Sequence, residues 1–123
     1  MKLHRIVLLV SVLFASEAFA ANLTCVGTEP FWGVTVDGNT LTYSTPDHPN
    51  GEKLAIGSIR TADGMPEGST TVFRTKACIF RRTTTLTVIR ASGCSDGMSD
   101  ATYSHYVVYD IEGHVLAGCC NEQ

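Results

Sequence analysis

Five cysteines carry the most obvious chemistry in this chain: Cys25, Cys78, Cys94, Cys119 and Cys120. None forms a CxxC pair, so neither a zinc ribbon nor a thioredoxin-like redox motif is written in their spacing. In an oxidising compartment they read as disulfide partners, and their odd number leaves one thiol over. Side chains alternate along a strand, so the adjacent Cys119 and Cys120 point to opposite faces and cannot share a partner. The expected pairs are Cys94 with Cys119 and Cys25 with Cys78, which leaves Cys120 near the chain end, read as an inert thiol with a reactive thiol or an intermolecular disulfide as the alternative.

The densest polar cluster is Cys94-Ser95-Asp96-Gly97-Met98-Ser99-Asp100. Its two carboxylates, four apart around a glycine, suit either a cation or a ligand contact. It lacks the spacing of a twelve-residue calcium loop and the terminal Glu of one. Asp and Ser capping of the loop's own backbone accounts for the same residues. His48, His105 and His114, with Met65, Met98 and a spare thiol, have the right donors for copper or zinc, but no HxH or HxxxH pair brings them together. A serine nucleophile set could be assembled from Ser95, His105 and Asp96, and an acid and base pair from Glu29 and Asp96. No GxSxG, HExxH or phosphate-binding glycine loop supports catalysis. The expectation is therefore not an enzyme, with no cofactor and no metal. Arg74, Lys76, Arg81 and Arg82 form one basic cluster, suited to an anionic ligand or lipid surface, or to a charged edge that resists aggregation.

The elements that position these residues are short. Period-2 segments bounded by Gly, Pro, Asp and Asn recur, and no dozen-residue window keeps a 3.6-residue apolar period. The expected strands are Phe31 to Asp37, Thr40 to Ser44, Leu54 to Thr61, Thr70 to Thr75, Thr84 to Ala91, Tyr106 to Ile111 and Val115 to Cys119. Asp37-Gly38-Asn39 and Glu112-Gly113 read as tight turns. The fold class is all-β, a small antiparallel barrel or sandwich of about seven strands stapled by disulfides. Thr45 to Lys53, Ala62 to Ser69 and Ser92 to Ser104 read as irregular, and local function is expected there. In Glu29-Pro30-Phe31-Trp32 one aromatic ring belongs to the core and the other to a barrel end or an exposed contact.

Lys2, Arg5, the apolar run Ile6 to Phe14 and Ala18-Phe19-Ala20 read as a secretory signal peptide over 1–20. Residues 21–123 then form one β-rich domain in the periplasm or outside the cell. Cys25 follows Asn22-Leu23-Thr24 rather than the small residues of a lipoprotein signal, so no lipid anchor is expected. Beyond residue 20 the chain carries seven basic and eleven acidic side chains. That acidic balance disfavours nucleic acid as a partner.

Cys25-Val26-Gly27-Thr28-Glu29-Pro30-Phe31-Trp32, the Cys94 to Asp100 segment and Gly118-Cys119 together resemble a family of small exported bacterial proteins and lipoproteins of unknown function. That family is grouped near the META or heat-shock-lipoprotein-like domains. The resemblance implies a compact β-rich fold in the cell envelope and carries no catalytic residue. The expected function is a monomeric, non-catalytic binding or envelope-stress module that contacts an envelope or host protein. Its expected contact surface is Glu29, Phe31, Trp32, Asp96, Met98 and Asp100. The alternatives are an inhibitor of a lysozyme-type hydrolase and a periplasmic metal-binding protein using His105, His114, Met98 and a free thiol.

Overall fold

The computed structural model describes residues 22–123, and the expected signal peptide lies outside them. Eight antiparallel strands run in chain order around a closed barrel. They are β1 (Leu23–Thr28), β2 (Phe31–Asp37), β3 (Thr40–Thr45), β4 (His48–Thr61), β5 (Thr70–Thr75), β6 (Thr85–Ser95), β7 (Thr102–Ile111) and β8 (His114–Glu122). Each strand pairs with the next, and β8 returns to β1 through Leu23↔Glu122 to Val26↔Cys119. Closure leaves no unpaired edge on a sheet rich in Thr, Val and Ile.

The eighth strand is β1, which the sequence pattern does not announce. Its inward positions are Leu23, Cys25 and Gly27, so a cysteine and a glycine stand where an apolar alternation would otherwise be visible. The Thr45 to Lys53 segment is also more regular than expected, because β4 already begins at His48. A register shift between Tyr43 and Thr45 absorbs the irregularity. Gly51 sits at a φ of 73°, a conformation that residues with a Cβ rarely adopt.

Inward side chains divide the barrel into two unequal ends. At the end formed by the β1–β2, β3–β4 and β7–β8 turns, Trp32, Tyr43 and Tyr109 fill the lumen, with ring centroids 6.2 and 5.5 Å from Tyr109. The Tyr109 hydroxyl donates to Thr84 Oγ1 at 3.0 Å, and Thr84 Oγ1 lies 2.9 Å from Thr75 Oγ1. The buried phenol is thereby satisfied. Toward the other end the lumen is lined by the smaller Leu23, Ile56 and Val88, with Phe73 below them. Burial of each such side chain contributes about 1.5–3 kcal/mol. Gly27 and Gly118 face each other across the β1–β8 seam. The Trp32 indole occupies the place of a Cβ on Gly27, and the Val26 carbonyl occupies the place of a Cβ on Gly118.

The Ser92 to Ser104 segment is not a simple loop. After a register shift between Arg90 and Cys94, β6 and β7 continue as a paired arm, Cys94↔Tyr103 and Ser95↔Thr102. The arm lies over the outer face of β8. Cys119 points outward by alternation, yet it is 1% exposed because the arm covers it and Cys94 is bonded to it. From there the arm reaches β1, where Thr28 Oγ1 donates to the Asp96 carbonyl at 3.0 Å.

The two disulfides therefore sit on opposite faces of β8. Cys94–Cys119 joins arm to strand outside, as expected. The pairing of Cys25 with Cys78 is corrected: Cys25 bonds Cys120 inside the barrel, directly across the β1–β8 seam. Cys78, rather than Cys120, is the free and exposed thiol. The physical reason is β1 itself, which brings Cys25 beside β8 and leaves Cys78 in the β5–β6 connection at the aromatic-filled end.

Candidate functional site

The residues singled out in the sequence are only partly gathered. Trp32 belongs to the core, whereas Phe31 is 56% exposed on the outer face. Phe31, Thr28, Pro46, Pro49, Asp96 and Tyr103 border an open groove between the arm and the β3–β4 turn. Glu29 is exposed in the β1–β2 turn, and Met98 and Asp100 are exposed at the arm tip.

Within that groove Asp96 is already fully engaged. Its carboxylate accepts the Met98 and Ser99 N–H groups at 2.9 Å each, the Ser99 hydroxyl at 3.0 Å and the Tyr103 hydroxyl at 3.0 Å. The two backbone donors above all stabilise the anion, and its pKa falls to about 2. The same contact pushes the Tyr103 phenol upward. Asp96 thus holds its own turn closed and offers no free lone pair to a cation. Ser95 Oγ likewise accepts the Gly97 N–H at 3.1 Å.

The assembled nucleophile and metal sets come apart because their members lie on different parts of the barrel. His105 faces the lumen at the open end, while Ser95 and Asp96 sit on the arm and His114 begins β8 at the opposite end. Among the described residues no three His, Cys, Asp or Glu side chains cluster to hold a metal.

The open end of the barrel carries a different constellation. Three strands end their inward alternation in a polar residue: Leu86, Val88 and Arg90 on β6; Ile111, Tyr109, Val107 and His105 on β7; Cys120 and Glu122 on β8. Together they rim a cavity of about 480 Å³ with a floor of Leu23, Ile56, Phe73 and Val88. Glu122 Oε1 lies 3.8 Å from an Arg90 guanidinium nitrogen and 3.7 Å from His105 Nε2. Both distances exceed direct hydrogen-bond length, so this is a loose charge cluster rather than a closed ion pair. Burial is the main influence on His105 and lowers its pKa, Glu122 opposes that shift, and Arg90 reinforces it. The imidazole is neutral at neutral pH. Its Nδ1 lies 2.7 Å from Ser104 Oγ, but Ser104 stands on the outer face of β7, so the hydroxyl is presented away from the cavity.

The β4–β5 loop, within the Ala62 to Ser69 segment, covers part of this rim. The Ser69 carbonyl accepts the Arg90 N–H at 2.8 Å. Gly68 lies so close under the Arg90 side chain that a Cβ there would meet the guanidinium at 2.8 Å. Glu67 of the same loop adds a second carboxylate to the rim. Sequence reasoning placed function in this loop but missed Arg90, His105 and Glu122 as a group. The available signal was the break in each apolar alternation.

Comparison with protein-family models, curated proteins and solved structures finds no match to this chain.

Proposed function

We propose that the protein is an exported, non-catalytic binding module that takes a small amphipathic molecule into the open end of its barrel. The observation that carries this reading is the cavity of about 480 Å³ with an apolar floor and a rim of Glu67, Arg90, His105 and Glu122. That volume falls within the range of small-molecule sites, and an apolar wall with a few converging polar groups is their usual chemistry. The disulfides are consistent with an oxidising compartment, which supports export. On this reading the arm and the Phe31 groove act as scaffold and the ligand enters at the other end.

The rim also argues for a ligand class. Two carboxylates stand beside one guanidinium and a neutral imidazole, so an alkyl chain with a cationic or hydroxyl head suits the site better than one with a carboxylate. Titration with octylamine, octanol and octanoate tests this directly. The amine and the alcohol bind and the carboxylate binds more weakly. Val88→Phe, which fills the floor with a ring, abolishes binding while the circular dichroism spectrum is retained. Absence of binding by all three, or binding that Val88→Phe leaves unchanged, refutes the proposal.

A further inference from the structure

The connection between β5 and β6 ends in a tight turn whose central residues are Ile79 and Phe80. Cys78 and Arg81 close it with two backbone hydrogen bonds, Cys78 N–H to the Arg81 carbonyl at 2.9 Å and Arg81 N–H to the Cys78 carbonyl at 3.1 Å. Such positions are normally held by Gly, Asn, Asp, Ser or Pro, which set the backbone and suit water. Here they hold two large apolar side chains, Ile79 at 93% exposure and Phe80 at 94%. Neither packs on the barrel, so neither contributes to its core.

The charge around this tip is equally uneven. Four of the seven basic residues beyond residue 20, Arg74, Lys76, Arg81 and Arg82, fall within nine positions that contain no acid. Two carboxylates face the tip from neighbouring elements. Glu52 of β4 pairs with Arg81, and Glu112 of the β7–β8 turn borders the same recess as Cys78 to Arg82. Lys76 and Arg82 have no ion-pair partner among the described residues, whereas Arg74 borders a separate recess with Arg60 and Asp63 beside the β4–β5 loop. A bare apolar tip flanked in the chain by the unpaired Lys76 and Arg82, on a domain that is otherwise acidic, matches the layered chemistry of an anionic bilayer surface: phosphate outside, hydrocarbon beneath.

We propose that this tip is a membrane-docking wedge. Ile79 and Phe80 enter the acyl boundary of an anionic phospholipid leaflet, while Lys76 and Arg82 meet the phosphates. A second copy of the chain is the competing occupant of any exposed apolar patch, but two such tips would bring like charges together. Docking through the tip points the cavity at the opposite end of the barrel away from the membrane, and it does not depend on what that cavity binds.

The test is vesicle flotation of the exported protein carrying Cys78→Ser, which removes adventitious disulfide dimers. Vesicles of phosphatidylcholine with about one third phosphatidylglycerol are compared with phosphatidylcholine alone. The protein floats with the anionic vesicles, and raising the salt to about 1 M reduces binding because surface charge is screened. Ile79→Ser with Phe80→Ser lowers the partition coefficient by about a hundredfold, from the apolar area withdrawn. Lys76→Glu with Arg82→Glu abolishes anionic selectivity. All four side chains are exposed, so unchanged circular dichroism is expected for both variants. Failure to float, equal binding to the uncharged vesicles, or a double-serine variant that floats like the parent overturns the proposal. So does sedimentation as a Phe80-dependent dimer that ignores vesicles.

Discussion

Removing each disulfide separately distinguishes the seam from the arm. Chain-entropy reasoning assigns the larger effect to the larger closed loop. Cys25 and Cys120 are separated by 95 positions, giving about 4.7 kcal/mol, whereas Cys94 and Cys119 are separated by 25, giving about 3.5 kcal/mol. A domain of this size has a total stability of about 5–15 kcal/mol, so Cys25→Ala with Cys120→Ala brings the barrel near its unfolding threshold. Cys94→Ala with Cys119→Ala costs less overall and has a local signature. The arm loses its staple to β8, and amide hydrogen exchange quickens at Met98 and Ser99, whose N–H groups bond Asp96. Cys78→Ser, at an exposed turn, shifts stability by no more than about 0.5 kcal/mol. Urea unfolding followed by circular dichroism, with thiol mapping of the parent, reads all three. A free thiol at Cys120, or a Cys78→Ser variant as unstable as either double replacement, would refute the seam assignment.

Three further outcomes follow from single sites. Asp96 has a depressed pKa, so the stability it lends the arm is present above about 4 and is lost as the pH falls toward about 2; Asp96→Asn removes that pH dependence, as read by acid titration of arm exchange rates. His105 is also depressed, so its contribution is present above about pH 6.5 and declines as the pH drops below that value, when the unfolded chain takes up the proton more readily. His105→Gln flattens thermal stability across that window. Gly118→Ala drives a methyl into the Val26 carbonyl across the seam and costs about 1–3 kcal/mol by urea unfolding, although alanine ordinarily favours folding over glycine.

The all-β class and its hairpins were legible because turn chemistry is local. Asp37-Gly38-Asn39 and Glu112-Gly113 fall at the β2–β3 and β7–β8 turns, with Gly38 and Gly113 at φ of 59° and 87°. Opposite facing of Cys119 and Cys120 was legible for the same reason, since strand alternation is a two-residue property. The missed strand and the wrong disulfide are one error. Cys25 can be assigned to Cys120 only once β1 is known to close the barrel against β8, and that contact spans almost the whole described chain. The arm was hidden because its residues are the Ser, Asp and Gly of an ordinary loop, and only its staple and the Asp96 hydrogen bonds make it regular. The rim was hidden because Arg90, His105 and Glu122 lie on three strands whose register is a tertiary property. Each nevertheless stands where an apolar side chain would continue the alternation.

Ligand entry at the open end of the barrel is tested by amide chemical-shift mapping of the exported protein titrated with octanol. Saturable shifts are expected only at Leu23, Ile56, Phe73, Val88, Arg90, His105 and the Glu67–Gly68 loop, with the Phe31 groove and the arm unmoved. Shifts absent at saturating octanol, or centred on Phe31, Asp96 and Tyr103, would contradict ligand entry at that end.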